Sequence, residues 1–370
     1  MKIRKRMIIF YIIIVIILSG WMIYKFNPAK GGKISEEYKT ILKNSPNFDG
    51  ERFKNPVSTV MTAPKWGTMK KFFKTETEQI PGHPIPSEKF DPKSFENDKN
   101  KSEIKFSWFG HSSVLLQIEG LNLLIDPVFN KRASMFSWIG PKRFDYENHM
   151  TVEDLPEIDA VLISHDHYDH LDYKVIRKLK NKVKRFYVPL GVRVHLEKWG
   201  VPAENIIDLD LWNSTAINDD LNLVLTPARH FTGRGLTNRF TTLWGGWAIL
   251  GKHQKVFFSA DSGYFNGFTE IGEKLGSFDL AFIECGQYNL DWQAIHMLPE
   301  QSAQAAEDVK AKFVVPIHWG KFKLSVHPWI EPIERFLKAS ENKSFQTLTP
   351  KPNEVISLSE NNLINYWWRE

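Results

Sequence analysis

Three histidines and two aspartates stand within six residues, at 165–170 (HDHYDH), directly after the apolar run Ala160–Ile163. The apolar run predicts a buried strand, and alternate residues of an extended chain point to the same side. His165 and His167 can therefore reach one cation at the strand end, and the turn that follows can present ligands to a second. Imidazole and carboxylate ligands without thiolate suit zinc first, with iron or manganese as alternatives. The competing interpretation, a polar turn with histidines present by chance, is disfavoured by the density of the cluster.

Three later apolar runs, which begin at residues 223, 256 and 313, also end on a residue that can bind a metal: His230, Asp261 and His318. Each would be an ordinary polar residue at a strand end if it stood alone. Together with segment 165–170 they repeat one arrangement, in which a buried strand delivers a ligand to a common rim. We expect His230 to serve the first cation, His318 to serve the second, and Asp261 to bridge the two.

The composition is that of an ordinary globular protein of 370 residues, 42% hydrophobic and 25% charged, which suffices for one large core in one or two domains. The formal net charge is +5, but the basic residues are spread along the chain, a pattern that does not indicate nucleic-acid binding. Cys285 is the one cysteine, so no intramolecular disulfide can form. We interpret it as a packing residue and not as a nucleophile.

Residues Met7–Tyr24 form a long apolar run, preceded by basic residues between positions 2 and 6 and followed by Lys25. Its length is just sufficient for a helix that spans a bilayer. No small-residue cleavage site follows, so an uncleaved anchor is favoured over a signal peptide. The basic flank predicts a single-pass membrane protein with its catalytic domain on the extracytoplasmic side, although lysines after the run weaken the asymmetry.

We expect three regions: a membrane anchor at 1–26, a linker and irregular extension at 27–100, and a globular domain at 101–370. Within the second region, segments 61–66 and 71–73 could cover a pocket or touch lipid, or pack across the domain surface.

Periodicity in the third region predicts strands at 105–108, 114–118, 121–125, 160–163, 185–189, 222–226, 246–250, 256–259, 280–283 and 313–316. It predicts helices at 174–181, 192–199, 299–310 and 329–340. Hairpins followed by alternation of strands and helices favour an α/β (α+β) fold with sheets sandwiched by helices.

The order His-x-His-x-Asp-His, followed by His, Asp and His at later strand ends, resembles the metallo-β-lactamase superfamily. Four further motifs make the chain similar to the N-acyl-phosphatidylethanolamine phospholipase D branch: Trp108–Ser113, Leu124–Phe129, Ile139–Phe144 and His296–Glu300. The match covers about residues 100 to 335. It implies a metallo-β-lactamase-like αββα sandwich with a dinuclear metal site at the sheet edge.

By this resemblance, the ligands of the first metal are His165, His167 and His230. Those of the second are Asp169, His170 and His318, with Asp261 between the metals. His296 corresponds to a pocket histidine near the reacting phosphate. Two departures from the branch bear on substrate identity: Phe231 stands where Trp is usual, and 284–288 (ECGQY) replaces a more apolar stretch.

We therefore expect a hydrolase with two Zn²⁺ per chain, a phosphodiesterase of the phospholipase D type that acts on phospholipid or another small phosphodiester at a membrane. A metal-bridging hydroxide would attack phosphorus. The alternatives are a lactonase or carboxylic-ester hydrolase with the same site, and a non-catalytic metal-binding membrane protein, which the open ligand set disfavours. The sequence does not predict an oligomeric state.

Asp169 and His296 are the expected catalytic residues. Arg229, Arg234 and His296 are the expected substrate contacts, with a surface charge or structural salt bridge as the alternative for each arginine. Asp126 is expected to hold a ligand histidine in its tautomer. His111 is expected near the rim or as a buried structural histidine.

Overall fold

The computed structural model describes residues 2–74, 76–96, 101–359 and 364–370. Its strands, in chain order, are β1 (Lys105–Trp108), β2 (Val114–Ile118), β3 (Leu121–Ile125), β4 (Ala160–Leu162), β5 (Arg185–Pro189), β6 (Ile206–Leu209), β7 (Ser214–Asn218), β8 (Leu221–Thr226), β9 (Gly246–Gly251), β10 (Lys255–Phe258), β11 (Phe278–Glu284), β12 (Ala311–Ile317), β13 (Gln346–Thr347) and β14 (Val355–Ser357). In the described residues they form two seven-stranded sheets, in the orders β14-β1-β2-β3-β4-β5-β6 and β13-β12-β11-β10-β9-β8-β7.

The two sheets pack face to face and share one core. Phe106 of β1 meets Phe282 of β11 edge to face across the interface, with ring centroids 5.2 Å apart. Strands β2, β3 and β4 are buried on both faces, which explains their continuous apolar sequences. Leu116 packs in the core between the sheets, whereas its neighbour Leu115 belongs to a second cluster on the outer face.

The helices are α1 (Lys2–Phe26), α2 (Glu36–Leu42), α3 (Trp66–Phe73), α4 (Lys93–Glu96), α5 (Tyr173–Leu179), α6 (Arg193–Lys198), α7 (Gly267–Lys274), α8 (Pro299–Asp308) and α9 (Glu331–Ser340). Helices α5 and α6 cover the outer face of the first sheet through the outer cluster, which includes Ile176 and Leu196. Helices α7, α8 and α9 place Ile271, Ala303 and Ile333 in the core with the second sheet. The predicted αββα sandwich is thereby confirmed.

Strand direction brings the candidate site residues to one end of the sandwich. Strands β3, β4 and β5 are parallel in the first sheet, as are β10, β11 and β12 in the second. Strands β1 and β8 are each separated from their sheet's parallel set by two antiparallel pairings, so they run in the same direction as that set. Residues that follow all these strands therefore leave the sheets at the same edge.

Helix α1 stands apart from the sandwich. An 18-residue window within Arg4–Phe26 has a mean hydropathy of 2.5 and is not buried, so the helix is long and apolar enough to cross a membrane. The segment from 27 to 96 is mostly irregular but packs on the domain, since Leu42, Phe53, Ile85 and Phe95 are buried.

Candidate metal centre and its cavity

Four residues at this edge, none of them glycine, adopt left-handed backbone conformations. They are His111, Asp126, Ala260 and His318, with φ of 56°, 41°, 56° and 67°. Such conformations cost about 1–3 kcal/mol each for residues with a Cβ, and they persist where the surrounding fold holds them. Each lies directly after, or within three residues of, the end of β1, β3, β10 or β12. The sharp turns redirect these side chains and their neighbours toward a common point.

One group of ligand atoms gathers His165, His167, His230 and Asp261, with all four atoms within 4.8 Å of one another. His165 Nε2 lies 2.9 Å from His167 Nδ1, and His230 Nε2 lies 3.3 Å from the same nitrogen. Asp261 Oδ2 lies 3.8 Å from His165 Nε2 and 3.7 Å from His230 Nε2. The group thus joins β4 of one sheet to β8 and β10 of the other.

A second group gathers His111, Asp169, His170 and His318 within the same 4.8 Å limit. Asp261 adjoins this group as well, because its Oδ2 lies 3.2 Å from His170 Nε2 and its Oδ1 lies 3.0 Å from His318 Nδ1. One carboxylate therefore faces both groups, as the sequence predicted for Asp261.

The state of these buried atoms fits a bound metal. Within the described ranges His170 Nε2 and Asp261 Oδ1 make no well-aligned hydrogen bond, despite their neighbours at 3.2 and 3.0 Å, although unsatisfied buried polar atoms are costly. Burial lowers the pKa of His165, His230 and His318 well below the usual histidine value. Neutral imidazoles keep a lone pair for a cation, so a nitrogen and carboxylate set of this kind suits zinc or iron.

Asp126 holds one imidazole in place from behind. His170 Nδ1 donates to Asp126 Oδ2 at 2.8 Å, which directs His170 Nε2 at the cluster. The other oxygen of Asp126 accepts the Ser164 backbone N–H at 2.7 Å. The structure thus places Asp126 in the supporting position predicted for it.

His111 is wholly buried and contacts the other members of the second group directly. Its Nε2 donates to Asp169 Oδ2 at 2.9 Å, and its ring lies over that of His318 with centroids 4.0 Å apart. The hydroxyl of the neighbouring Ser112 lies 3.1 Å from His318 Nδ1. The sequence alone leaves the place of His111 open and assigns no individual role to Ser112, although both belong to the motif Trp108–Ser113.

Asp166, the second residue of segment 165–170, turns away from both groups. Its carboxylate accepts the Gly233 N–H at 2.7 Å and the Thr242 hydroxyl at 3.0 Å, and it lies 3.2 Å from His195 Nε2. Burial opposes ionisation, but the hydrogen bond and the charge of His195 lower the pKa of Asp166 to about 2. Asp166 therefore ties the loop after His230 to the first sheet.

His296 forms a buried pair with Glu284 beside the cluster. Its Nδ1 donates to Glu284 Oε1, and its Nε2 has no hydrogen-bond partner in the part of the chain that the structure describes. Burial raises the pKa of Glu284 to about 8. Although burial opposes it, the charge of Glu284 raises the pKa of His296.

A glycine allows this pair to come close to the turn after β10. A Cβ at position 263 would lie 2.1 Å from the carbonyl oxygen of Ala294, so no other residue fits there without displacing the segment that carries His296.

A cavity of about 610 Å³ opens over the cluster. Its floor contains His167, Asp169, Asp261, His296 and His318, and its walls include Phe231, Arg239, Gln287, Trp292, Leu324 and the segment from Val60 to Pro64. Segment 61–66 was predicted to cover a pocket, touch lipid or pack across the domain surface; its residues 61–64 line this cavity, which supports a pocket cover for that part. The sequence alone assigns no role to Arg239, whereas Gln287 belongs to segment 284–288, one of the two departures that bear on substrate identity.

The two arginines predicted as substrate contacts lie outside the lining of this cavity. Arg229 donates to Thr59 Oγ1 at 2.9 Å and to the Ser58 carbonyl at 3.0 Å, so it holds the segment that becomes the cavity wall. Arg234 is buried and donates to the carbonyl oxygens of Ala29, Asp166 and Leu171. Both guanidinium groups are engaged in structural hydrogen bonds.

A family model described as a beta-lactamase superfamily domain matches residues 121–319, more than half of the chain. The chain therefore belongs to the metallo-β-lactamase superfamily and is a metal-dependent hydrolase. It is 38% identical to an uncharacterised protein of Mycobacterium tuberculosis over 354 residues, which covers 92% of each chain. It is also 31% identical over 322 residues to the N-acyl-phosphatidylethanolamine-hydrolyzing phospholipase D 1 of Caenorhabditis elegans, covering 83% of this chain and 86% of that one.

Among solved structures, the metallo hydrolase Igni18 from Ignicoccus hospitalis aligns with a TM-score of 0.54 at 21% identity. The alignment covers 70% of this chain and all of Igni18. At this identity the similarity supports the fold alone.

Proposed function

We propose that this protein is a membrane-anchored phosphodiesterase that hydrolyses phospholipids with two zinc ions. The observation that carries the proposal is a double cluster of imidazoles and carboxylates at the base of a cavity that also contains His296. The activity for which the nematode relative is named, hydrolysis of N-acyl-phosphatidylethanolamine, supports the same substrate class.

The proposed ligands of the first metal are His165, His167 and His230, and those of the second are Asp169, His170 and His318, with Asp261 shared. Two zinc ions so held would lower the pKa of a water molecule toward neutrality and offset the charge that develops on the phosphoryl group.

The protein's own groups then handle the proton and the orientation of the substrate. His296 faces the cavity with Nε2 free, so we assign it the role of general acid that protonates the leaving oxygen. Glu284 fixes the tautomer of His296 by accepting from Nδ1. Asp169, which His111 orients, serves as ligand and positions the attacking water. Arg239 lines the cavity and is our candidate contact for the phosphate, in place of Arg229 and Arg234.

Helix α1 is proposed to be an uncleaved anchor, with the catalytic domain on the extracytoplasmic side. Its exposed apolar surface and the basic residues that precede it support this orientation. A reporter enzyme that is active only outside the cytoplasm, fused after Glu370, should be active. If that fusion is inactive and a cytoplasmic reporter at the same position is active, the catalytic domain lies on the cytoplasmic side.

The test is hydrolysis by the purified full chain, with metal content measured on the same sample. The panel comprises an N-acyl-phosphatidylethanolamine, a diacyl phospholipid, a small bis-aryl phosphodiester and a lactone. About two zinc ions per chain and release of phosphatidic acid or free head group are the expected results. Lactone opening without phosphodiester cleavage would favour the alternative esterase, and bound metal without any turnover would favour the non-catalytic alternative.

Variants relate the activity to the site. Asp169→Asn should lower both zinc content and turnover, whereas His296→Gln should lower turnover by roughly 100-fold and keep the zinc. His83→Gln is the matched control, because His83 is exposed and lies outside the cluster. Retention of full activity and metal by Asp169→Asn would refute the ligand assignment.

A further inference from the structure

The end of helix α1 is fastened to the catalytic domain. The Leu236 N–H donates to Tyr24 Oη at 3.0 Å, and Asn27 Nδ2 donates to the Met135 carbonyl at 3.1 Å. Trp199 Nε1 donates to the Pro28 carbonyl at 2.8 Å. The point at which the chain leaves the helix is therefore held against two loops, 134–140 and 231–240, and against α6.

These two loops expose large apolar side chains around that point. Trp138, Ile139 and Leu236 are 68%, 52% and 85% exposed. A single exposed apolar residue on a protein surface is common. Here, however, all three lie on the loops that contact the end of a helix able to span a bilayer. Tryptophan is also typical of the boundary between acyl chains and head groups.

A basic cavity of about 390 Å³ adjoins the same place. It is lined by Ile23 of α1, by Trp138 and by the cations Lys131, Arg132 and Lys174, with Arg234 at its base. Lys131 and Lys174 are exposed and form no ion pair with another described residue. The one carboxylate in the lining, Asp172, is occupied by hydrogen bonds from Asn130 and from the first turn of α5. The cavity is therefore positively charged and lies beside an apolar helix.

We propose that this face rests on the bilayer, with Trp138, Ile139 and Leu236 at the level of the acyl boundary and the basic cavity around the phosphate of an anionic phospholipid. The proposal rests on the anchor role of α1 proposed above. The charge and the apolar rim of this face fit an anionic lipid surface better than a protein partner, because cations and exposed apolar side chains lie together at the end of a helix able to span a membrane.

Loop 231–240 lies at both the proposed membrane face and the catalytic cavity. Loop 231–240 contributes Phe231 and Arg239 to the catalytic cavity and carries Leu236 at the end of α1. Arg239 lies over the ring of Phe231 at 4.6 Å and contacts Met61 of the opposite cavity wall. The same loop thus contributes both to the proposed membrane face and to the wall of the catalytic cavity.

The first test measures depth. A nitroxide is attached to a Leu236→Cys variant of the full chain in nanodiscs of three parts phosphatidylglycerol and seven parts phosphatidylcholine. Cys285 is buried and should remain unlabelled, which the parent chain checks. The label at 236 should be reached by oxygen more readily than by a water-soluble nickel complex, whereas a label on Lys252→Cys, in the turn at the opposite end of the sandwich, should show the reverse. Equal aqueous accessibility at both positions would overturn the proposal. So would strong coupling between labels at 236, since a second copy of the chain would then cover the face.

The second test measures lipid selectivity. The full chain is purified from an equal mixture of phosphatidylglycerol and phosphatidylcholine, and the retained lipid is quantified. We expect enrichment of phosphatidylglycerol that falls by about fivefold or more in Lys131→Ala/Lys174→Ala. The control, Lys252→Ala/Lys338→Ala, removes the same charge from exposed positions elsewhere. Equal enrichment in both double variants would refute the basic cavity as a head-group site. Neither readout requires turnover, so the membrane face can be established even if phospholipid hydrolysis fails its own test.

Discussion

At the scale of single residues, the pair of His296 and Glu284 decides how a proton reaches the leaving group. Glu284 lies at the end of β11 and is completely buried, where a lone carboxylate would be costly. Its hydrogen bond to His296 offsets that cost and orients the ring. A carboxylate in this position acts through the histidine, so it is a positioning residue.

Replacement of Glu284 by Gln should lower kcat by roughly ten- to hundredfold on a small phosphodiester, with little change in KM or zinc content. The negative charge of Glu284 raises the pKa of His296, and a general acid loses activity as pH rises through its pKa. The alkaline limb of the pH–rate profile should therefore move to lower pH in Glu284→Gln. A purely structural role would lower activity without moving that limb. Glu273→Gln, at an exposed position of α7, removes the same charge and is the control.

Glu284 also shows which site residues can be predicted from the sequence. Glu284 ends the predicted strand 280–283 in the way that Asp261 ends another, so the signal that identified Asp261 could have identified Glu284 too. Ser112 and Arg239 carry no such signal, because they meet the site only through turns and a long loop. Arg229 and Arg234 were proposed from their nearness in sequence to His230, which does not reveal where a long side chain points.

At the scale of elements, the strands that the sequence predicts correctly are interior strands of the two sheets, most of whose residues are buried. The strands that sequence analysis did not identify, β6, β7, β13 and β14, are the edge strands of the two sheets. Edge strands are short or half-exposed and lack a continuous apolar run; in β7 exposed and half-buried positions alternate. Helix α7 was also missed, since its two glycines weaken the helical pattern.

The segment that covers the cavity has little regular structure, so its position depends on side chains such as Arg229. Replacement of Arg229 by Met should free residues 57–64, raise KM for a phospholipid several-fold and leave the zinc content unchanged. Limited proteolysis should detect faster cleavage within that segment. Arg185→Met, at an exposed strand start, is the control; equal cleavage rates in the two variants would show that Arg229 does not hold the cover.

At the scale of the whole molecule, the cluster joins the two sheets at one edge. His165 and His170 come from the loop after β4, and His230, Asp261 and His318 come from the second sheet. A metal bound to both sets would stabilise the sandwich by favouring the folded state. Chelation of the full chain in detergent should therefore lower Tm by several degrees, and zinc should restore it. Metal analysis must first confirm that removal is complete. A Tm that is then unchanged would contradict the role of the metal in linking the two sheets.

Stability should also depend on pH through Lys321, which is 2% exposed and donates to the Phe109 carbonyl at 2.8 Å. Burial, and to a lesser degree the charge of Arg143, lowers the pKa of Lys321 well below its usual value. Between that lowered pKa and the value near 10.4 of an unfolded chain, the unfolded state binds more protons, so this lysine makes stability rise with pH. The free energy of unfolding of Lys321→Met, relative to the parent chain, should thus fall by up to about 1.4 kcal/mol per pH unit from pH 7 to 10. Urea denaturation in detergent at each pH measures the difference, with the exposed Lys338→Met as control. A difference that stays constant over this range would mean that Lys321 is charged in the folded protein, and that the cost of burying its charge is met by contacts other than the Phe109 carbonyl.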